Sequence, residues 1–592
     1  MKPLYYALPL ALLMLLASLL PLKTAAADEA NPLDGDALHA PRRTGTLAVA
    51  GDPRPSLYQP SAFLAGRVAV QLLFVESDGS REPSRQNWTD EQMSVVREQV
   101  AGALEWWRVR LPKADLSFDL TTKVASTGYE PIGHTLSTEG AWIGDSLTRL
   151  GVAGANYFDQ AYLADSQLRS ARGADWATTI FIVNSTGANG GRFADGRFAY
   201  AYINGPFMVV TSDAGPYGLR QMAPVVAHEF GLIFGALDQY ASAGTPCTQL
   251  SGYLAVPTTN SQANDCGTHY SSIMLDPLGA YASYQVDDSA LGQLGYRDSD
   301  GDGLPDPIDT APAITFSLAQ APAGKRPALV ASVIDQPYPS PMEDPVTINT
   351  VDRVEYRVDG GNWFMLAPSD GAYDGAVEDV SATLPLYDGR HTVDVRAFNS
   401  RGAASPVGSA MVVVSGVGTA PAYRADVPAV SDSETIAVSL SAPAGASVQI
   451  GEDPLFTGLS WVPASSDIAW RLSSSDGPHR LYVRFREANG LESQPYLKTV
   501  LLDRTPPSGR VVEHSGATPW IEIQAEDSLS GVAAMQMLDA GGNASAWQPF
   551  QSSLPVTLAS SSIRVRVRDA AGNVSAPLAV YNGLVYLAMV AQ

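Results

Sequence analysis

At residue 298 the chain changes character, and no single fold accommodates both sides of that point. Upstream, fully apolar runs alternate with segments of helical periodicity. Downstream, short stretches of alternating apolar and polar residues recur almost to the end of the 592-residue sequence. A chain this long exceeds what one hydrophobic core can serve, so several domains are expected, each burying its own.

The downstream half carries an internal repeat. "YDGRHTVDVRAFNSRGAASP" (387–406), "SDGPHRLYVRFREANGLESQP" (475–495) and "SSIRVRVRDAAGNVSAP" (561–577) each give an alternating strand, a turn rich in Asn and Gly, and a polar exit. A second element, "VEYRVDGGNWFML" (354–366) and "MQMLDAGGNASAWQPF" (535–550), pairs a Gly-Gly turn with a tryptophan expected to be buried. Repeats of this length with short, evenly spaced strands indicate tandem all-β sandwich domains, set at 311–415, 416–504 and 505–580, with a tail at 581–592. They resemble the immunoglobulin or fibronectin type III-like modules of secreted bacterial enzymes. That resemblance implies spacing, or attachment to a cell surface or extracellular polymer.

The N-terminus begins with Lys2, an apolar stretch from Leu4 to Leu22 and the small residues Ala25, Ala26 and Ala27, the pattern of a signal peptide over 1–27. The alternative, an uncleaved membrane anchor, is disfavoured by Pro9 and Pro21. The expected location is therefore secreted or extracellular, with no membrane association after removal of the signal. The net charge of −23 argues against nucleic acid as a partner. The two cysteines, Cys247 and Cys266, are expected to form a disulfide in an oxidising compartment, the other reading being two free thiols.

Residues 28–62 are polar and Pro-rich, a linker or short pro-segment. From 63 to 297 the order is strand (67–77), a long amphipathic helix opened by a capping box at Thr89 and Gln92, strands at 115–120 and 177–185, a mostly helical stretch at 145–172 and a strand pair ending near Asp213. This succession predicts one α+β domain built on a mixed sheet. "VVAHEFGLIFGALDQY" (225–240) follows. On a helix, H-E-x-x-H points two imidazoles at one metal, and the glutamate between them serves as general base. Here His228, Glu229, Gly235 and Asp238 keep the spacing of that pattern and its continuation, but Leu232 stands where the second histidine belongs.

With "SSIMLDP" (271–277) downstream, the helix resembles that of the metzincin metallopeptidases, specifically the secreted bacterial kind with aspartate as third ligand. The resemblance implies zinc held by His228 and Asp238, Glu229 as general base, Met274 beneath the metal, and hydrolysis of a peptide or protein substrate. The tyrosine often found two residues after that methionine is replaced by Asp276. Leucine at 232 removes a zinc ligand, so loss or severe impairment of zinc binding and activity is expected. His134 and His269 are the domain's other histidines, and His269, close to Cys266 and Met274, is the candidate substitute ligand. The alternatives are a catalytically inactive peptide-binding protein and a cell-surface adhesion or scaffold protein.

At the boundary itself, "DSDGDGLPDPID" (298–309) places Asp298, Asp300, Asp302, Asp306 and Asp309 at the oxygen-donor positions of a calcium loop, with the Leu304 carbonyl between them. Pro305 and Pro307 argue against a following helix. The segment, taken as a calcium-binding linker over 298–310, resembles thrombospondin type 3-like calcium linkers, which implies a stiffened joint; the bland reading is a solvated acidic linker.

Overall fold

The computed structural model describes residues 38–41 and 52–581, apart from 189, 216, 264, 265, 515, 540 and 556–563. The expected signal peptide, much of the 28–62 segment and nearly all of the C-terminal tail lie outside the described residues. Two compact units emerge. The first comprises the described residues up to 41, then 55–306 and 339–344; the second comprises 52–54, 307–338 and 345–581. The division after Asp306 falls inside the acidic segment read as a linker.

The first unit is organised around a six-stranded mixed sheet. Its strands are β1 (Leu38–His39), β2 (Arg67–Ser77), β3 (Ser117–Thr127), β4 (Trp176–Val183), β5 (Ala199–Ile203) and β6 (Phe207–Thr211), in the order β1-β5-β6-β4-β2-β3. β2 pairs in parallel with both β3 and β4, and β4 with β6; β5 alone runs antiparallel to its neighbour β6. Every residue of β4 is buried, as a central strand covered on both faces requires. The "DLSFDL" strand begins at Ser117 and extends to Thr127, because its pairing with β2 continues for eleven residues and compensates for weak alternation.

Four helices pack on this sheet: α1 (Asp90–Arg110), α2 (Glu139–Arg149), α3 (Tyr157–Arg172) and α4 (Ala223–Ile233). α1 opens with the capping box read at Thr89 and Gln92, both halves of which are formed, and buries Val96, Val100, Leu104 and Trp107 along one face. Trp107 donates its indole N–H to the Ala227 carbonyl at 3.0 Å, tying α1 to α4. α4 is buried at every position, unlike a surface helix with one wet face. Part of the 28–62 segment is also ordered, since Leu38 and His39 pair in parallel with Tyr202 and Ile203 of β5.

The second unit is a succession of β-sheets. Strands between Pro312 and Val414 form a three-stranded and a four-stranded sheet; those between Arg424 and Leu502 form sheets of three and five. The strands from Ser508 to Tyr581 run as one seven-stranded order. Alternation decides which residues pack inside: Val393, Val395 and Ala397 in the first sandwich, Leu481, Val483 and Phe485 in the second, Val565 and Val567 in the third. The tryptophans read as buried are not core residues. Trp363 and Trp547 are half-buried, covered by arginines from the outward positions of neighbouring strands. Period-2 alternation says which positions share a face; it does not say that a large ring belongs to the core.

Candidate functional site

α4 carries His228 and Glu229, and three further constraints shape what surrounds them. Pro224 lies in the first turn, where its missing N–H costs nothing. After Ile233 the chain reverses through Gly235, whose φ is +90°. A Cβ there would come within 2.8 Å of both Asn204 Oδ1 and Gly252 Cα, so only glycine fits this turn. The reversal returns Asp238 to the histidine: His228 Nε2 lies 2.7 Å from Asp238 Oδ1, with both side chains buried.

The other ring nitrogen, Nδ1, is 2.9 Å from the carbonyl of Ile273. Met274 is fully buried against α4, where Gly231 makes room; a Cβ on Gly231 would stand 2.8 Å from Met274 Sδ. Gln239 N–H donates to the Met274 carbonyl at 3.0 Å, so the chain on either side of the His–Asp pair is fixed to the Ser-Ile-Met turn. Glu229 is buried on the same helix. The helix, the glycine turn, the aspartate and the methionine turn named in the sequence thus converge in space.

Leu232 is the exception. One turn beyond His228 and only 3% exposed, it presents an apolar side chain where a second imidazole would be needed. The remaining pair does not fit a catalytic zinc. Two ligands on one tetrahedral zinc stand about 3.3 Å apart, given bonds near 2.0–2.1 Å. At 2.7 Å His228 Nε2 and Asp238 Oδ1 stand in direct contact as an ion pair instead. Burial would push the His228 imidazole toward neutrality, but the close contact and charge of Asp238, with the charge of Glu229, outweigh it and raise the group to about 9.

No other histidine completes the site. His269 is exposed, and among the described residues no group of three metal-ligating side chains includes His228. His134 is engaged elsewhere, with Nε2 3.0 Å from Glu82 Oε2 and Nδ1 3.1 Å from Thr138 Oγ1. Cys247 and Cys266 are joined by a disulfide across 19 residues.

The sequence reading missed Gln239. Fully buried, it donates to Asp287 Oδ2 at 2.7 Å and accepts from Asn260 Nδ2 at 2.9 Å, anchoring the segment that carries Asp238. Its one sequence trace is a polar residue beside Asp238 at the end of an apolar run.

In the acidic segment, Asp298, Asp300 and Asp302 bring one carboxylate oxygen each within 4.8 Å of one another. Asp298 accepts from the N–H groups of Gly301 and Gly303, at 2.7 and 2.8 Å, and Asp302 from that of Leu304 at 2.8 Å. This all-oxygen set fits calcium in donor chemistry. Asp306 does not join it; its carboxylate takes Arg297 Nε at 3.0 Å and the Ser299 hydroxyl at 2.7 Å. Asp309 falls in the second unit. A second acidic group, Asp503, Asp527 and Asp569, lies in that unit and was not singled out in the sequence.

No family model matches the chain, and no curated protein does. Among solved structures, the FN1–FN3 domains of chicken CNTN1 are similar over 46% of this chain and 96% of that one, at 11% identity and a TM-score of 0.19. The fibronectin(III)-like modules of Clostridium thermocellum CbhA match over 32% of this chain and 94% of theirs, at 16% identity and a TM-score of 0.12. The Bacteroides ovatus protein SGBP-B, solved with a mixed-linkage heptasaccharide, matches over 46% of this chain and 71% of its own, at 14% identity and a TM-score of 0.16.

Proposed function

We propose that this chain is a non-catalytic relative of secreted zinc peptidases: a peptidase-like unit that has exchanged its metal for a His–Asp bridge, carried on β-sandwich modules that attach it to an extracellular polymer. The observation that carries this reading is the buried Leu232 at the second ligand position together with the direct 2.7 Å contact between His228 and Asp238. The metzincin resemblance is supported by the place of Met274 against α4, the glycine turn at 235 and the mixed sheet with its single antiparallel step. With His228 and Asp238 in direct contact and an apolar side chain at 232, fewer than the three protein ligands of a catalytic zinc are present, so no hydrolytic step is assigned to Glu229. A scaffold needs stiff joints. The three converging aspartates at 298–302 support a calcium-stabilised segment at the end of the first unit.

The test is zinc stoichiometry by elemental analysis of the full-length protein beside Leu232→His, both dialysed against zinc and then against buffer. No bound zinc in the native protein and one equivalent in the variant supports the reading. One equivalent in both overturns it, since a ligand set then exists that is absent from this geometry. None in either removes the peptidase-derived site altogether.

A further inference from the structure

Each sandwich of the second unit sets a tryptophan beneath one or two arginines on the outward face of a strand, and among the described residues the third lacks the carboxylates that close this arrangement in the first. In the first sandwich Trp363 lies under Arg357 and Arg396, with guanidinium carbons 4.6 and 4.1 Å from the ring centroid. In the second, Trp461 lies under Arg484 and Arg486 at 5.1 and 4.5 Å; in the third, Trp547 lies under Arg568 at 4.6 Å. The indole holds the guanidinium flat and leaves its N–H edge for an anion. The first sandwich supplies that anion itself: Asp394 takes Arg357 at 2.7 Å, and Glu355 takes Arg396 at 2.7 Å and Arg353 at 3.0 Å.

Among its described residues the third sandwich supplies none. Val565 and Val567 point into the core, so Arg564, Arg566 and Arg568 share the outward face at intervals of about 6.8 Å. Their cross-strand partners are Leu538, Gln536 and Ala534, all neutral, and Arg564 pairs with neutral Ala579 on the other side. Among the described residues no carboxylate is ion-paired with any of the three, and the buried Nε of Arg566 has no hydrogen-bond partner. Three like charges this close on one face, in a chain of net charge −23, repel one another unless an anion sits across them.

We infer that the Arg564–Arg566–Arg568 row, with Trp547, is a binding face for an acidic polysaccharide, a polymer whose carboxylate or sulfate groups repeat along a line. A flat row of arginines along a strand matches a linear polyanion better than a single small anion. The inference rests on the attachment half of the reading above and names the polymer class.

The test uses the full-length protein in affinity electrophoresis through gels containing polygalacturonate, dextran sulfate or neutral dextran. Retardation by the acidic polymers, weakened by salt and absent with neutral dextran, is the expected result. Arg564→Gln with Arg566→Gln should weaken it about tenfold, and Arg568→Lys less, because a charge is kept. Arg353→Gln, in the closed first sandwich, should leave it unchanged. Retention by neutral dextran alone would leave polymer attachment standing and overturn the acidic assignment. Equal retardation of native and doubly substituted protein, or binding only to phosphatidylserine vesicles, would overturn it as well. Circular dichroism of the double variant checks that loss of binding is not loss of fold.

Discussion

His228 Nε2 and Asp238 Oδ1 stand 2.7 Å apart across a turn that only Gly235 permits, and the same imidazole reaches the Ile273 carbonyl through Nδ1. Three separate stretches of chain are thereby pinned together: α4, the segment after its turn and the loop of Met274. Both side chains of that contact are buried.

The bridge should behave as a buried ion pair. Removing one partner leaves the other charge uncompensated, so Asp238→Ala or His228→Ala should each cost about 3–5 kcal/mol of unfolding free energy. Replacing both by apolar residues should cost less than the two single losses summed. Urea unfolding of the four proteins gives the coupling energy, and strict additivity would show that the pair is no latch.

Calcium should act at residues 298–302. If Asp298, Asp300 and Asp302 take the ion, adding calcium to chelated protein should raise the melting temperature of the full chain and slow hydrogen exchange at 298–304. Asp300→Asn with Asp302→Asn should abolish both effects. Identical exchange with and without calcium would leave these residues as a solvated acidic loop.

A pH dependence should come from Glu139. Its buried carboxyl accepts from the hydroxyls of Tyr157, at 3.0 Å, and of Tyr200 and Tyr202. Burial pushes it up from 4.5 to about 6, against the pull of those three hydroxyls. Because the folded value is raised, this group's contribution is fully present below pH 4.5 and is lost as pH rises through about 6. Glu139→Gln cannot ionise, so its stability relative to the native protein should improve by about 2 kcal/mol between those limits. Unfolding curves at several pH values measure the difference; parallel curves across that window would refute the assignment.

Legibility from sequence varied with the range of the interaction. The α1 capping box at Thr89 and Gln92 was readable because both partners lie within one helical turn. The inward valines of the repeat strands were readable because pleating imposes period two. Gln239, Asn260 and the tyrosines around Glu139 were not, since the partners that bind them together lie 18 to 63 residues apart and no local pattern marks them. Trp363 and Trp547 misled for a related reason. An aromatic residue in a strand-rich repeat reads as core until the arginines that cover it from adjacent strands are placed.

By itself, the sequence determined that two kinds of fold meet near residue 298, that α4 presents His228 and Glu229, and that Leu232 breaks the ligand spacing. These follow from periodicity and from residue identity at fixed intervals. Only the tertiary structure decided that His228 and Asp238 meet as an ion pair, that Asp306 turns to Arg297, and that the arginines of the last sandwich lie open while those of the first are closed. Each of those outcomes depends on where a turn or a neighbouring strand delivers a charge. Chain spacing limits such distances without fixing them.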